Sequence, residues 1–350
     1  MIEEKLEKIL LNVQKPARYI GGEQGSVVKD PSKVSIRFAM CFPDLYEVGM
    51  SHLGMKILYS LKNEQPDVWC ERVFAPDLDM EAEMRREGIP LYGLESLEPV
   101  RRFDFLGFTL QYEMCYPTIL NMLDLAGIPV WAKDRGEEEP IIAAGGPCAC
   151  NPEPIADFFD LFVLGEGEEV NLELIDLYRT KKREGWSRRE FLLRAARIPG
   201  IYVPAFYEVA YGEDGCIRAV APVVPEAAPV VTKRIIADLD KVYYPKNFVV
   251  PYMEIVHDRA MVEVLRGCIR GCRFCQAGFI YRPFREKEPD TLNENAHTLC
   301  RNTGYDEVTL TSLSTSDYSR LEALLEKMLP WSGEEKTNLS LPSLRVDGFS

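Results

Sequence analysis

Residues 263–287 read EVLRGCIRGCRFCQAGFIYRPFREK, and this stretch sets three cysteines within eight residues. Cys268, Cys272 and Cys275 form a C-x3-C-x2-C triplet directly after a short apolar segment. Thiolates are the soft ligands that hold iron–sulfur clusters in proteins. Three thiolates on a four-iron cube leave one iron open to a substrate or a second cofactor. The triplet therefore predicts a 4Fe–4S site on a loop that follows a strand.

Glycines and arginines alternate around the triplet. Glycine permits the tight backbone path that such a loop needs, and arginine offsets the negative charge of a thiolate-ligated cluster. The residues are Gly267, Gly271, Gly278, Arg266, Arg270 and Arg273. Two alternatives are three buried cysteines that are merely close in sequence, and a zinc site. Zinc usually takes four ligands in two pairs, and no second pair follows nearby, so the pattern favours the cluster.

The bulk composition is that of a soluble globular protein. Of 350 residues, 46% are hydrophobic and 27% are charged, which suits two or three domains with buried cores. The N-terminus is acidic where a signal peptide is basic, and the longest apolar runs are too short to span a bilayer. We therefore expect a cytoplasmic protein without membrane contact.

The net charge of −14 excludes a general affinity for nucleic acid, because phosphate binding needs a basic surface. One basic stretch runs over residues 178–197. We interpret it as a solvated pair of helices, with an RNA-contacting face as the alternative.

Seven further cysteines are scattered along the chain. Without an export signal they are predicted to be thiols, and most of them to be small buried apolar residues. They are Cys41, Cys70, Cys115, Cys148, Cys150, Cys216 and Cys300.

An alternating α/β pattern begins at Ser35. Continuous apolar strands interleaved with amphipathic helices predict a parallel sheet with helices on both faces, a doubly wound α/β fold. The five predicted strands lie at 35–43, 71–76, 103–110, 140–146 and 160–165. Such sheets bind ligands at the carboxyl ends of their strands, near a topological switch point. The loops of interest follow Phe42, Leu110, Gly145 and Leu164.

The α/β pattern resumes near Ala260, after a Pro- and Val-rich stretch with short strand-like pieces. Strands are predicted at 261–267, 306–314 and 337–346, with helices at 288–304 and 319–331 between them. Three strands cannot close a barrel, so we expect the sequence to end partway through this domain.

The cysteine triplet resembles that of the radical S-adenosylmethionine (SAM) superfamily, because Phe274 precedes the last cysteine and the loop follows the first strand of an α/β unit. The resemblance implies that Cys268, Cys272 and Cys275 ligate a 4Fe–4S cluster whose open iron binds the amino and carboxylate groups of SAM. Reduction of the cluster, by a flavodoxin- or ferredoxin-type protein, then cleaves SAM to a 5′-deoxyadenosyl radical. The backbone of Phe274 is implied to lie near the adenine. These motifs do not indicate the substrate.

The loop after the second strand departs from the family pattern. Members of the superfamily often carry Gly-Gly-Glu here as a contact to the SAM amine, whereas this chain has TSLSTSDYS from Thr311. Ser312, Ser314 and Ser316 are the candidate contacts, because hydroxyl groups accept hydrogen bonds from an ammonium group.

The first sheet resembles the cobalamin-binding domain that precedes the barrel in some radical SAM proteins. Gly145 and Gly146 in GGP, and Gly165, Glu166 and Gly167 in GEGE, match its fourth- and fifth-strand turns. The resemblance implies close approach of this backbone to cobalamin, and ordinary βα turns are the alternative. Segments from RYIGGE near Tyr19 to LPSLR near Leu341 further resemble one bacterial subfamily of such proteins.

The loop after the first strand carries tyrosine where many cobalamin domains carry a cobalt-ligating histidine. Their D-x-H-x-x-G motif corresponds to residues 44–49, with Asp44, Tyr46 and Gly49 at its fixed positions. A phenol is a poor ligand at neutral pH, so no histidine ligand is expected from this loop. Ser51 and His52 follow closely as candidate contacts, with helix capping or packing as the alternative for His52.

The resemblances divide the chain into four predicted segments. These are an N-terminal helix and loop (1–33), a cobalamin-binding-like Rossmann-type domain (34–197), a connecting segment (198–256) and an incomplete radical SAM barrel (257–350).

The leading hypothesis is a radical SAM enzyme that uses cobalamin for methyl transfer or performs another radical conversion. A second reading is methylthio transfer to RNA or a ribosomal protein, with an extra cluster on Cys41, Cys115, Cys148 and Cys150. A third is a non-enzymatic iron–sulfur or cobalamin sensor.

Overall fold

The computed structural model of the protein describes residues 2–348 as a mixed α/β structure. Within that range, backbone contacts group the chain into two compact units. The first unit contains residues 2–22, 26–49 and 58–235, and the second contains residues 23–25, 50–57 and 236–348.

The first unit is built on a six-stranded sheet. Its strands are β1 (Ile36–Phe42), β2 (Val68–Phe74), β3 (Phe105–Thr109), β4 (Ile141–Gly145), β5 (Leu161–Val163) and β6 (Ile201–Tyr202). Their spatial order is β2-β1-β3-β4-β5-β6, and neighbouring strands are parallel except for β5 and β6.

Helices separate these strands in sequence. They are α1 (Ile2–Ile9), α2 (Tyr46–Gly49), α3 (Leu53–Asn63), α4 (Leu78–Glu87), α5 (Tyr116–Leu125), α6 (Glu168–Glu184) and α7 (Arg188–Ala195). A further hairpin pairs β7 (Tyr207–Tyr211) with β8 (Ile217–Pro222). The predicted α/β fold with a parallel sheet is confirmed.

The core of the first unit follows from the apolar strands. Every residue of β2 is buried, as is every residue of β1 except Arg37. On one face, the Phe105 ring packs edge-on against Tyr178 of α6 and Phe191 of α7, with centroids 4.6 and 6.0 Å away. Aromatic rings at this spacing add to the burial term that holds helix on sheet.

The strand order creates a topological switch point. The chain moves from β1 outward to β2, and then returns past β1 to β3, so the loops after β1 and β3 leave neighbouring strands in opposite senses. In doubly wound sheets this is where a ligand-binding crevice opens. Strand β6 was not predicted as part of the sheet, because two residues carry no periodic signal.

The second unit contains a parallel three-stranded sheet. The order is β13-β12-β9, where β9 is Ala260–Glu263, β12 is Glu307–Thr311 and β13 is Asn338–Ser340. Helices α9 (Pro289–Thr303) and α10 (Leu321–Glu334) connect these strands, and a short helix α8 (Ala277–Ile280) precedes them. Val262, Leu310 and Leu299 are fully buried between sheet and helices.

The strand predicted at 261–267 is interrupted. Strand β9 ends at Glu263, and residues Leu265–Arg266 form a separate short strand, β10, that pairs antiparallel with β11 (Arg285–Glu286). The chain leaves the parallel sheet here because β10 pairs with β11, the segment that returns from the cysteine loop.

No helix in the described part of the chain is both long and apolar enough to cross a bilayer.

Candidate functional site

The cysteine loop is closed at its base by the β10–β11 pair. Leu265 pairs with Glu286 and Arg266 pairs with Arg285, so residues 267–284 project from a two-residue ladder. Gly267 lies just inside this base with φ +86°, and a Cβ there would sit 2.8 Å from the Pro283 carbonyl oxygen. Glycine is required at this position because the two limbs of the loop come within contact of each other.

The three cysteine side chains are free thiols of intermediate exposure on this loop. The backbone N–H of Arg270 donates a hydrogen bond to Cys268 Sγ over 3.4 Å, and Cys275 N–H donates to the Cys272 carbonyl over 3.1 Å. N–H···S bonds of this kind stabilise ligating sulfurs and tune iron–sulfur clusters.

The thiols do not converge on one point. Among residues 2–348, no group of three or more His, Cys, Asp or Glu side chains is arranged to hold a metal ion. The donor set still fits a thiolate-ligated cluster by its chemistry and its shared loop, because the three thiolates of a four-iron cube bind three different irons and need not meet at one ion.

Apolar side chains project into solvent beside the thiols. Phe274 is 94% exposed and Phe279 is 67% exposed, and Ile269 is also exposed. Exposed aromatic rings clustered on one loop are unusual unless they meet a ligand or a partner. The predicted position of the adenine near the Phe274 backbone stays a prediction.

The three predicted serines lie on the loop after β12. Ser312 Oγ and Thr315 Oγ1 are 2.9 Å apart, Ser314 Oγ donates to Asp317 Oδ2 over 2.8 Å, and Ser316 Oγ accepts from the Arg345 backbone N–H over 3.3 Å. Each hydroxyl is thus engaged within the loop region. Their assignment to the SAM amine stays a prediction.

Sequence reasoning named Arg270 only as a charge neighbour of the cluster and missed its partner, Asp317. Arg270, between the first two cysteines, donates from Nε to Asp317 Oδ2 over 2.9 Å and from Nη2 to Oδ1. These hydrogen bonds are the main cause that lowers the pKa of the Asp317 carboxyl. The signal was present, because Asp317 is the one acidic residue in the segment TSLSTSDYS that stands where the family often carries glutamate.

The switch point of the first unit brings the loops after β1 and β3 together. Tyr112 Oη donates to Asp44 Oδ2 over 3.3 Å, and the charge of Asp44 raises the pKa of the Tyr112 hydroxyl. Asp44 therefore lies at the predicted ligand-binding edge of the sheet.

The predicted turn glycines contact the chain's own backbone. A Cβ on Gly146, with φ +107°, would sit 2.7 Å from the Leu110 carbonyl oxygen. A Cβ on Gly165, with φ +96°, would sit 2.2 Å from the carbonyl oxygen of Arg234. The backbone N–H of Glu166 donates to that same Arg234 oxygen over 3.1 Å. Close packing of backbone on backbone accounts for both of these glycines.

The remaining turn glycines are less constrained. A Cβ on Gly145 would make only ordinary contacts, the nearest 3.6 Å away at Val163, and one on Gly167 would sit 3.0 Å from the Asn171 side-chain nitrogen. A role of either glycine in cobalamin binding stays a prediction.

Tyr46 and Gly49 pack in the core. The Tyr46 side chain is 1% exposed, and its ring lies edge-on to Phe74 with centroids 5.2 Å apart. A Cβ on Gly49 would sit 2.3 Å from that same phenylalanine ring. Packing therefore accounts for Tyr46 and Gly49, and a cofactor role for these two residues stays a prediction.

Ser51 and His52 belong to the second unit. Ser51 Oγ accepts a hydrogen bond from the His257 backbone N–H over 3.0 Å. His52 Nδ1 accepts from the Met55 backbone N–H over 3.1 Å, which caps the first turn of α3. Capping is the alternative that the sequence left open for His52.

Among the cysteines proposed for a second cluster, Cys148 lies close enough to Cys115 and Cys150 to interact with them electrostatically. Cys41, Cys115 and Cys148 are buried, whereas Cys150 is exposed. Burial raises the pKa of the Cys148 thiol to about 11, which disfavours the thiolate that a metal needs. The described residues hold no metal-binding group of three or more ligands here.

Comparisons with known proteins agree with this architecture. Residues 54–204 match the family model of "Radical SAM proteins, N-terminal". The uncharacterized protein MJ0966 of Methanocaldococcus jannaschii is 26% identical over 314 residues, which cover 88% of this chain and 55% of that protein.

Two solved structures share the fold. Both are of TsrM, a radical S-adenosylmethionine methyltransferase from Kitasatospora setae. The one with cobalamin and a [4Fe-4S] cluster bound has a TM-score of 0.52 at 14% identity and covers 88% of this chain and 56% of TsrM. The one with tryptophan substrate and the SAM analog aza-SAM has a TM-score of 0.51 at 15% identity and covers 88% and 54%.

The chain spans about half the length of these relatives. Its first unit carries the matched N-terminal region, and its second unit carries the C-x3-C-x2-C loop at the end of the first strand of a β/α sheet. The chain thus matches the N-terminal family model of radical SAM proteins over residues 54–204 and shares the fold of TsrM.

Proposed function

We propose that the protein is a radical SAM enzyme whose 4Fe–4S cluster is held by Cys268, Cys272 and Cys275. The observation that carries the proposal is the triplet itself, on a loop closed by the β10–β11 pair directly after β9. When bound, the cluster supplies the single electron for reductive cleavage of SAM, drawn from a flavodoxin- or ferredoxin-type reductant protein. Free thiols suit the reducing cytoplasm, which we propose as its location.

The chain's own residues divide the work of binding. The three thiolates hold the cluster and leave one iron for the amino and carboxylate groups of SAM. Hydroxyls of the loop after β12 accept hydrogen bonds from the SAM ammonium group. The backbone of Phe274 would lie near the adenine.

Cobalamin-dependent methyl transfer is the reaction subtype we propose. The support is the fold shared with TsrM, together with the β2-β1-β3 strand order whose switch-point loops meet at Asp44 and Tyr112. This part of the proposal requires that hydroxocobalamin added to the purified chain stays bound through gel filtration. Release of all the corrinoid would leave another radical conversion as the activity.

The central test replaces each cysteine of the triplet with serine. Cys268→Ser, Cys272→Ser and Cys275→Ser remove one soft ligand each, so iron–sulfur content after anaerobic reconstitution should fall about tenfold or more. Reductive release of 5′-deoxyadenosine from SAM should fall with it. Visible absorption, iron analysis and chromatography of the nucleoside measure these outcomes.

Cys216→Ser is the matched control, because Cys216 is an exposed thiol outside the triplet. This variant should take up the same amount of iron and sulfur as the wild type. Equal loading of the triplet variants and the control would refute the site, whereas a loaded cluster without SAM cleavage would favour a sensor.

A further inference from the structure

The cysteine loop has few ties to the rest of its unit. Phe274 and Ile269 project into solvent, and a Cβ on Gly271 would meet nothing within 4 Å. In the part of the chain that the structure describes, the Arg270 guanidinium makes the only side-chain hydrogen bonds from residues 268–278 to another segment. Without side-chain hydrogen bonds to another segment, a loop of this length would sample many conformations in which the three thiols lie far apart.

The partner of Arg270 is held firmly. The Asp317 side chain is 6% exposed, and Ser314, itself 4% exposed, donates to the same carboxylate over 2.8 Å. The neighbouring Thr315 is fully buried and donates from Oγ1 to the Leu310 carbonyl over 3.3 Å. Asp317 is therefore fixed to the end of β12.

Arg270 acts on the triplet through its own backbone. The residue whose guanidinium is fixed by Asp317 also directs its backbone N–H to Cys268 Sγ. A bidentate guanidinium–carboxylate pair restrains both the position and the orientation of the arginine. The ion pair thus restrains the segment between the first two cysteines relative to β12.

We propose that Arg270 and Asp317 are a positioning pair, which holds the cysteine loop against the loop after β12 so that the cluster can load and be retained. The inference rests on the proposed function of the triplet. In this role neither residue contacts the reacting atoms. Their effect is to lower the entropy lost when three thiolates converge on one cluster.

The experiment compares four variants of the full chain. Asp317→Asn and Arg270→Gln each break the ion pair, and the double variant removes both partners of that same pair. Arg270→Lys keeps the positive charge but loses the bidentate geometry of the guanidinium. Glu139→Gln is the matched control, because Arg101–Glu139 is also a pair between an exposed arginine and a buried carboxylate, and lies in the first unit.

Two measurements are made on anaerobic protein. The first is the rate at which a thiol reagent labels Cys268, Cys272 and Cys275 without iron, mapped by mass spectrometry. The second is the rate of cluster loading and its loss to a chelator, followed by visible absorption. Buried Cys300 in α9 reports folding of the same unit, because it stays unlabelled while the unit is folded.

Breaking the pair should speed labelling and weaken cluster retention, each by about tenfold, as loss of outer-shell partners does at metal sites. The double variant should be no worse than either single variant, and Arg270→Lys should lie between Arg270→Gln and wild type. Asp317→Asn behaving as Glu139→Gln in both measurements, with Cys300 unlabelled, overturns the proposal. If wild type takes up no cluster, the proposed function fails, while the labelling rates still decide whether the pair positions the loop.

Discussion

At the scale of the residue, two lysines near the end of α3 differ in how their charge is satisfied. The Lys62 side chain is fully buried, and Nζ has no hydrogen-bond partner among the described residues and lies 4.5 Å from the centroid of the Phe38 ring. Burial lowers the Lys62 pKa to about 8. Lys29 instead donates to three backbone carbonyls, those of Asn63, Gln65 and Val68.

We expect Lys62→Met to stabilise the protein by about 1–3 kcal/mol at pH 7, because a buried ammonium group without a hydrogen bond among the described residues is replaced by an apolar chain of similar size. Lys29→Met should destabilise it by a similar amount, since three carbonyls lose their donor. Urea unfolding measures both. Equal effects of the two substitutions would show that hydrogen bonding of the ammonium group is not what distinguishes the two sites.

The buried lysine also predicts a pH dependence. Its pKa is about 8 in the folded chain and 10.5 in the unfolded chain, so between these values the unfolded state binds more protons. Stability contributed by this group therefore rises as the pH increases from about 8 to about 10. This rise in the free energy of unfolding should be absent from Lys62→Met. An equal rise in the wild type and in Lys62→Met would contradict the prediction.

At the scale of the element, the turn between β5 and α6 is shaped by a neighbouring segment of the same unit. The Arg234 N–H donates to the Leu164 carbonyl over 2.8 Å, and the Arg234 carbonyl accepts from Glu166. Gly165 lies between them, so the chain passes too close for any side chain. The turn needs glycine at this position because the backbone of Arg234 lies against it.

Gly165→Ala should lower the free energy of unfolding by about 3 kcal/mol or more, because it combines positive-φ strain with a clash against fixed backbone. Gly185→Ala is the control, since Gly185 ends α6 with φ +70° and a Cβ there would meet nothing within 4 Å. Gly185→Ala should lower the free energy of unfolding by about 1 kcal/mol, because it introduces the positive-φ strain without a clash. Chemical denaturation of the two variants side by side tests the difference, and equal costs would remove the argument from close approach.

At the scale of the whole molecule, charge and thiols restrict the chemistry. Basic side chains of the 178–197 stretch form ion pairs within the first unit, as in Arg179 with Asp67 and Arg188 with buried Asp160. The helical pair is formed by α6 and α7, and its solvation stays a prediction. The ten cysteines divide into one loop triplet and seven further free thiols, of which Cys148 interacts electrostatically with Cys115 and Cys150.

Iron analysis of the reconstituted chain should therefore give about four irons per chain, the content of one 4Fe–4S cluster. The reason is that the triplet sets three thiols within eight residues of one loop, whereas Cys41, Cys115, Cys148 and Cys150 are spread over three segments of the chain. About eight irons per chain would instead indicate a second cluster and would revive the methylthiotransferase reading. Loss of nearly all iron in Cys272→Ser would link the count to the triplet.

The sequence by itself determined the α/β alternation, the cysteine triplet and the resemblance to radical SAM proteins. Hydrophobic period and motif spacing are local properties, so β1–β5 could be located from the apolar runs alone. The capping of α3 by His52 was likewise readable as an alternative, because a cap lies next to the helix it serves.

Only the tertiary structure decided which distant residues meet. Arg270 and Asp317 are far apart in sequence, and their ion pair exists because the ends of β9 and β12 are neighbours in a parallel sheet. Gly165 depends in the same way on the passage of Arg234, and the break of the predicted strand at Val264 depends on the return limb β11. Contacts between separated segments are set by strand order and packing, which composition and local pattern do not encode.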